Sequence, residues 1–162
     1  MKKILIYVYL ILLIGFIGWL GYKGVSKLLA KEEVEESQNS LSAIFKKLGV
    51  QEAATDQSTI LVYFNSECEH CQYEIQEIQT HLHKFANVQL AFVSHEPPAQ
   101  ARAFLAQHDL QDYYLSSSRD QVLRAFMGGV PQLLIYRDGE LVRHFRGEVK
   151  METILETLEI SD

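Results

Sequence analysis

The 162-residue chain has only two cysteines, no basic stripe, no internal repeat and no low-complexity tract. Each absence removes a class of answer. A disulfide-stapled scaffold needs more cysteines at wider spacings. A structural zinc site takes four ligands, and a second C-x-x-C is missing. The 15 Lys and Arg residues are dispersed along a chain of net charge −6, so there is no electrostatic footprint for nucleic acid. Neither cysteine lies near the apolar N-terminal run, so a lipobox is not expected either.

What is present is more specific. Both cysteines fall three positions apart, in Cys68-Glu69-His70-Cys71. With no other cysteine to pair with, the two read as a redox-active dithiol. Apolar residues make up 48% of the chain, enough for a core, and the length suits one domain plus an appendage.

The appendage is N-terminal. Residues 4–22 carry no charge over 19 positions, about 28 Å of helix against a hydrocarbon core of about 30 Å. Tyr7, Tyr9, Trp19 and Tyr22 sit mostly toward its ends, where aromatic rings favour the interface. Gly15, Gly18 and Gly21 form a small-residue face. A cleaved signal peptide is the rival reading, but its apolar region would be shorter and followed by an A-x-A-like site. An uncleaved single-pass anchor is the expectation. Lys2 and Lys3 precede the run while Lys23, Lys27 and Lys31 follow it, so charge does not fix the orientation. The dithiol favours an extracytoplasmic domain, in the periplasm or on the outer face of the cytoplasmic (inner) membrane.

Three segments are therefore expected: residues 1–30 as anchor and flank, residues 31–58 as a charged stalk with a short helix, and residues 59–162 as the globular domain. The stalk helix carries Leu41, Ile44, Phe45 and Leu48 at helical spacing and stops at Gly49. It either opens the globular domain or rests on lipid. In the domain, residues 60–64 form a continuous apolar run typical of a strand buried on both faces. Ile75, Ile78, Leu82 and Phe85 give a helical stripe. Residues 88–93 read as a second strand, and Pro97-Pro98 opens a helix. Tyr113-Tyr114-Leu115 suits a short strand. Val122, Leu123, Phe126 and Met127 suggest a helix stopped by Gly128-Gly129. Residues 132–136 and 141–145 flank Asp138-Gly139, a hairpin signal, and Met151, Ile154, Leu155 and Leu158 close the chain as a helix. The order is an α/β domain with a mixed sheet flanked by helices, two parallel crossovers and a terminal antiparallel hairpin.

This order, with C-x-x-C at the first strand-to-helix junction and Val130-Pro131 before the hairpin, resembles the thioredoxin fold. The membrane run and the pattern Cys68-x-x-Cys71-x-x-Glu74 are similar to the TlpA-like branch of extracytoplasmic thioredoxins. Four positions depart from the family pattern. Glu67 stands where tryptophan is frequent, Gln76 where a helix-kinking proline is, Val62 where ordinary thioredoxins bury an acid, and Glu69-His70 in place of Gly-Pro or Glu-Pro.

Thiol–disulfide exchange needs a thiolate, and a free cysteine ionises only near pH ~8.5. A helix N-terminus at Cys68 favours the anion. Cys68 is the expected nucleophile and Cys71, one turn deeper, the resolving thiol. A protonated His70 would stabilise the thiolate further and make the couple more oxidising, as in the DsbA-type oxidases that its position resembles. Glu67 and Glu69 act in the opposite direction, and a solvent-facing His70 would do neither. Glu74 shares a helix face with Cys71, and the resemblance implies a role in proton transfer at the thiols. The alternative is a solvated helix carboxylate. The resemblance also implies a cis peptide at Pro131, with Val130 offering its backbone to an extended substrate. Otherwise Pro131 is a trans proline starting an edge strand.

The resemblance implies that the partners are protein thiols and disulfides, with a membrane dithiol carrier as electron donor and no cofactor beyond the Cys68–Cys71 disulfide itself. Reduction of protein disulfides is the preferred direction. Oxidation of dithiols is the alternative. Two rivals come from other classes: a copper or zinc module using Cys68, His70 and Cys71 with His95 or His144 as a fourth ligand, and a non-catalytic anchored interaction domain.

Overall fold

The computed structural model describes Leu13, Gly15, Gly18, Trp19, Gly21, Tyr22, Lys23, Val25 and residues 38–50 and 57–158. The chain forms two compact units, Met1–Glu35 and Glu36–Asp162. The described residues of the first are helical, and the Lys23 ammonium lies 4.2 Å from the centroid of the Trp19 ring. The expected membrane span, residues 4–22, lies largely outside the described residues. Among those described, no helix is long and apolar enough to cross a membrane.

The second unit runs α1 (Leu41–Leu48), β1 (Ser58–Phe64), α2 (Glu69–Thr80), β2 (Val88–Ser94), α3 (Pro98–Ala106), α4 (Arg119–Ala125), β3 (Gln132–Arg137), β4 (Glu140–Arg146) and α5 (Met151–Leu158). Short 3₁₀ turns occupy Leu82–Phe85 and Gln111–Tyr113. The sheet order is β2-β1-β3-β4. Strand β1 pairs parallel with β2 and antiparallel with β3, and β3 pairs antiparallel with β4. This is the thioredoxin-like arrangement, a mixed four-stranded sheet covered by helices on both faces.

The continuous apolar run of β1 follows from that cover. Ile60, Val62 and Phe64 pack with α2, α3 and α5 on one face. Leu61 and Tyr63 pack with α1 and α4 on the other. With both faces buried, period-2 alternation has no polar half. The β3–β4 turn places Asp138 and Gly139 at φ 52° and 78°. Only glycine and short polar residues tolerate that region, which makes Asp-Gly the hairpin signal it is.

Three expectations change. The helix of residues 41–48 belongs to the globular unit rather than to a stalk. Leu41, Ile44, Phe45 and Leu48 are all fully buried, each worth about 1.5–3 kcal/mol over exposure. Backbone bonds from the Leu41 N–H to Gly139 and from the Leu141 N–H to Asn39 fix the chain before α1 to the hairpin. The strand at residues 113–115 shrinks to one parallel bridge, Phe92 with Tyr114. The 3₁₀ turn before it and the Ser118 capping box after it leave too few extended residues, so one parallel crossover stands instead of two. Helix α4 ends at Ala125, ahead of the glycines, because Phe126 turns extended (φ −122°, ψ 125°) and stacks on Tyr63 at 4.7 Å.

Candidate active site

The C-x-x-C lies just past the carboxyl end of β1 (Ser58–Phe64), the end of the strands at which open α/β sheets carry ligands. Asn65 starts a tight turn. Its backbone carbonyl accepts from the Cys68 N–H at 3.2 Å and its side-chain oxygen from the Glu67 N–H at 2.9 Å. Cys68 is thereby the N-cap of α2, extended at φ −90° and ψ 116°, and no side chain caps the helix. The orphan N–H groups of the first turn are open to whatever charge the Cys68 sulfur carries.

The two thiols, both free, sit in different media. Cys68 is partly exposed, and its sulfur lies 3.9 Å from the Val130 carbonyl oxygen. Cys71 is fully buried in the core cluster of α2. Burial pushes the Cys71 thiol up to about 12, against a lowering backbone hydrogen bond at Asn65. A hydrogen bond to Cys68 and the nearby Cys68 and Glu74 charges raise it further.

Glu74 is also buried, at 1% exposure. Its Oε2 accepts from the Val149 N–H at 3.0 Å, while Oε1 has no hydrogen-bond partner. Burial raises the carboxyl from its ordinary 4.5 to about 7. The Val149 hydrogen bond works against that shift, and the Glu148 and Glu77 charges work with it. A carboxyl in this range can take a proton from a thiol and pass it on near neutral pH.

The Val130-Pro131 peptide is cis. Gln132 holds the loop that carries it: its Nε2 donates to Met127 O at 3.0 Å and Gly129 O at 2.9 Å, and its Oε1 lies 2.9 Å from His144 Nε2. Val130 and Cys68 therefore face each other across a fixed gap. His70 is placed differently. Its side chain is 73% exposed, with Nδ1 2.9 Å from Glu148 Oε2. The predicted site residues Cys68, Cys71, Glu74, Val130 and Pro131 come together, and His70 sits at the rim, paired with Glu148.

Residues 36–145 match the AhpC/TSA family, and that stretch is most of the chain. The chain belongs to the AhpC/TSA family. Among curated proteins no match was found. Solved structures with the same fold include StoA from Bacillus subtilis, 20% identical, covering 63% of this chain and 82% of that one at a TM-score of 0.53. A secreted Mycobacterium tuberculosis disulfide oxidoreductase homologous to E. coli DsbE is 11% identical, covering 64% and 81% at 0.56. A thiol:disulfide interchange protein of the thioredoxin family from Chlorobium tepidum is 12% identical, covering 65% and 79% at 0.57. At these identities the likeness is one of fold.

In this AhpC/TSA domain the side chains named for the metal rival are set apart. Cys71 points into the core while His70 points to solvent, so the three side chains do not converge. His95 Nδ1 is engaged at 2.8 Å by the Tyr63 hydroxyl, and His144 by Gln132. Among the described residues no three His, Cys, Asp or Glu side chains are grouped to hold a metal ion.

Sequence reasoning missed Glu96, Ser66, Gln132 and Val149. Glu96 lies two residues past the end of β2 and is 7% exposed, with its carboxylate accepting from Ser66, Ser94 and Gln100. Its signal was positional: a carboxylate just past the end of a strand parallel to the one that carries the C-x-x-C.

Proposed function

We propose that this domain is a thiol–disulfide oxidoreductase that reduces protein disulfides, with Cys68 as nucleophile and Cys71 as resolving thiol. One observation carries the reading: a partly exposed cysteine at an uncapped helix N-terminus, opposite the Val130 carbonyl, with the second thiol fully buried one turn deeper. The Cys68 thiolate attacks a substrate disulfide, forming a mixed disulfide and releasing one substrate thiolate. Cys71 gives its proton to Glu74 and attacks the Cys68 sulfur. The second substrate sulfur leaves as a thiolate and takes up a proton; the substrate has gained two electrons, and the domain has lost them in forming a Cys68–Cys71 disulfide. Val130 offers backbone to an extended substrate beside Pro131.

The reducing direction draws support from His70. A cation against the Cys68 sulfur would favour an oxidant, but this imidazole pairs with Glu148 at the rim. Electrons would come from a membrane dithiol carrier. The uncharged run at residues 4–22 supports a single-pass anchor that holds the domain on the extracytoplasmic side. The occurrence of the same fold in a secreted oxidoreductase is consistent with that placement.

The test is insulin reduction by the full chain in detergent, together with its reduction potential. Wild type should turn over. Cys68→Ser should abolish turnover. Cys71→Ser should accumulate a covalent mixed disulfide. An inert wild type overturns the function. A potential below about −220 mV fits a reductase, and one approaching about −120 mV reverses the direction.

A further inference from the structure

The carboxylate at Glu96 takes no part in the exchange steps, yet it is the most heavily hydrogen-bonded side chain near them. Its Oε2 accepts from the Ser66 N–H and the Ser94 hydroxyl, both at 2.8 Å. Its Oε1 accepts from the Ser66 hydroxyl and from Gln100 Nε2, the latter at 2.8 Å. The Glu96 N–H in turn donates to Ser94 Oγ at 3.1 Å. Two elements beyond the C-x-x-C, the end of β2 and the first turn of α3, thus converge on the turn that precedes Cys68.

Ser66 is the residue this arrangement grips. Its carbonyl accepts from Gln72 Nε2 at 2.7 Å, tying the turn to the first turn of α2. Asn65, beside it, receives the Cys68 N–H on its backbone carbonyl. Holding Ser66 on both its N–H and its hydroxyl therefore holds Asn65, and through Asn65 the N-cap cysteine. We infer that Glu96 is the positioning residue of this dithiol, clamping Ser66 so that Cys68 stays at the helix N-cap and opposite Val130. The inference rests on the thiol–disulfide reading above.

Leucine is the stringent substitute here. A glutamine could keep its carbonyl oxygen on the Ser66 N–H and turn its NH₂ to the Ser66 hydroxyl and to Gln100, whose amide can turn to accept. Glu96→Leu keeps approximate size while leaving the donors of the clamp without an acceptor. It also removes a negative charge, which alone would lower the pKa of a neighbouring thiol. Loss of position moves Cys68 off the helix N-terminus and raises it. The two effects differ in sign, so the direction separates a positioning role from a charge effect.

The experiment compares wild type, Glu96→Leu and Ser66→Ala in the full chain, each also with Cys71→Ser. Three quantities are read: the pH midpoint of Cys68 alkylation by iodoacetamide, the reduction potential against glutathione, and insulin reduction. In Glu96→Leu the midpoint should rise by about half a unit or more and insulin reduction should fall about tenfold. Ser66→Ala, which keeps its N–H, should move both in the same direction by less. A midpoint that falls or stays put, with potential and turnover unchanged, overturns the clamp. If Glu96→Leu does not fold by urea melt, Ser66→Ala decides alone: a raised midpoint supports the clamp and an unchanged one overturns it. An inert wild type sinks the exchange reading and this inference together. An active wild type matched by Glu96→Leu sinks only the inference.

Discussion

Two buried glutamates flank the dithiol, and their surroundings differ. Around Glu96, four donors reach two oxygens, every one from the turn, strand end or helix that frames Cys68. Around Glu74 there is one donor, the Val149 N–H. The other oxygen is unpartnered, and Glu148 and Glu77 add like charge. A fully bonded carboxylate has the surroundings of a strut, and one with a single hydrogen bond, held near the middle of its titration by burial, those expected of a proton carrier. Burial alone does not distinguish the two roles, because both side chains are almost wholly inaccessible. The count of donors does.

The largest expected effect is a stability contrast between the two. Glu74 has a folded pKa of about 7 against an ordinary 4.5, so the fold favours its protonated form. That contribution is fully present below pH 4.5 and is lost as pH rises through 7, amounting to about 3 kcal/mol. Glu74→Gln should therefore be more stable than wild type at pH 8 by up to that amount, and equal to it at pH 4. Glu96→Leu should be less stable at pH 8 by about 2 kcal/mol, from the donors it leaves unpaired. Urea melts at the two pH values read both. If the two variants change stability in the same direction at pH 8, the comparison is broken.

Kinetics sharpen the same contrast. Burial is the largest cause that raises the Cys71 thiol and it persists when Cys68 is in a disulfide, so Cys71 needs a base to resolve the mixed disulfide near neutral pH. Glu74→Gln should slow release from a preformed Cys68 mixed disulfide about a hundredfold at pH 7. Its rate should then climb steadily with pH as Cys71 ionises unaided, whereas the wild-type rate levels off above about pH 7. A Glu74→Gln rate within twofold of wild type across that range would make Glu74 a bystander.

Which of these features the sequence could disclose follows from how local each one is. The strand expected over residues 60–64, found as Ser58–Phe64, the C-x-x-C at its end and the Asp138-Gly139 turn are read from neighbours along the chain. The cis Val130-Pro131 peptide is implied by the family resemblance and not by its neighbours. Glu74 was visible because three positions on a helix is a contact distance. Glu96 was not, since it meets Ser66 across 30 residues and only the β1–β2 pairing brings them together. Placing α1 in the domain needed the same non-local knowledge. Its stripe is equally suited to a sheet face or a lipid surface until Leu61, Tyr63 and Tyr136 are seen to cover it. For Tyr113-Tyr114-Leu115, β propensity was overridden by the turn before it and the helix cap after it. The direction in which His70 points was invisible because its partner Glu148 is 78 residues away.

That last contact yields the smallest prediction. His70 lies inside the motif, where a charged imidazole beside the Cys68 sulfur would stabilise the thiolate and raise the potential. Instead its ring is 73% exposed and paired with Glu148, a residue whose backbone neighbour Val149 holds Glu74. An exposed pair of this kind is screened by solvent and salt. His70→Ala should therefore shift the reduction potential by less than about 10 mV and change insulin reduction by less than about twofold. Losing a thiolate-stabilising cation would instead make the couple more reducing, by about 30 mV or more for a tenfold change in equilibrium. A drop of that size would show that the imidazole reaches Cys68 in solution. It would place a third side chain beside the two glutamates proposed to act on this dithiol.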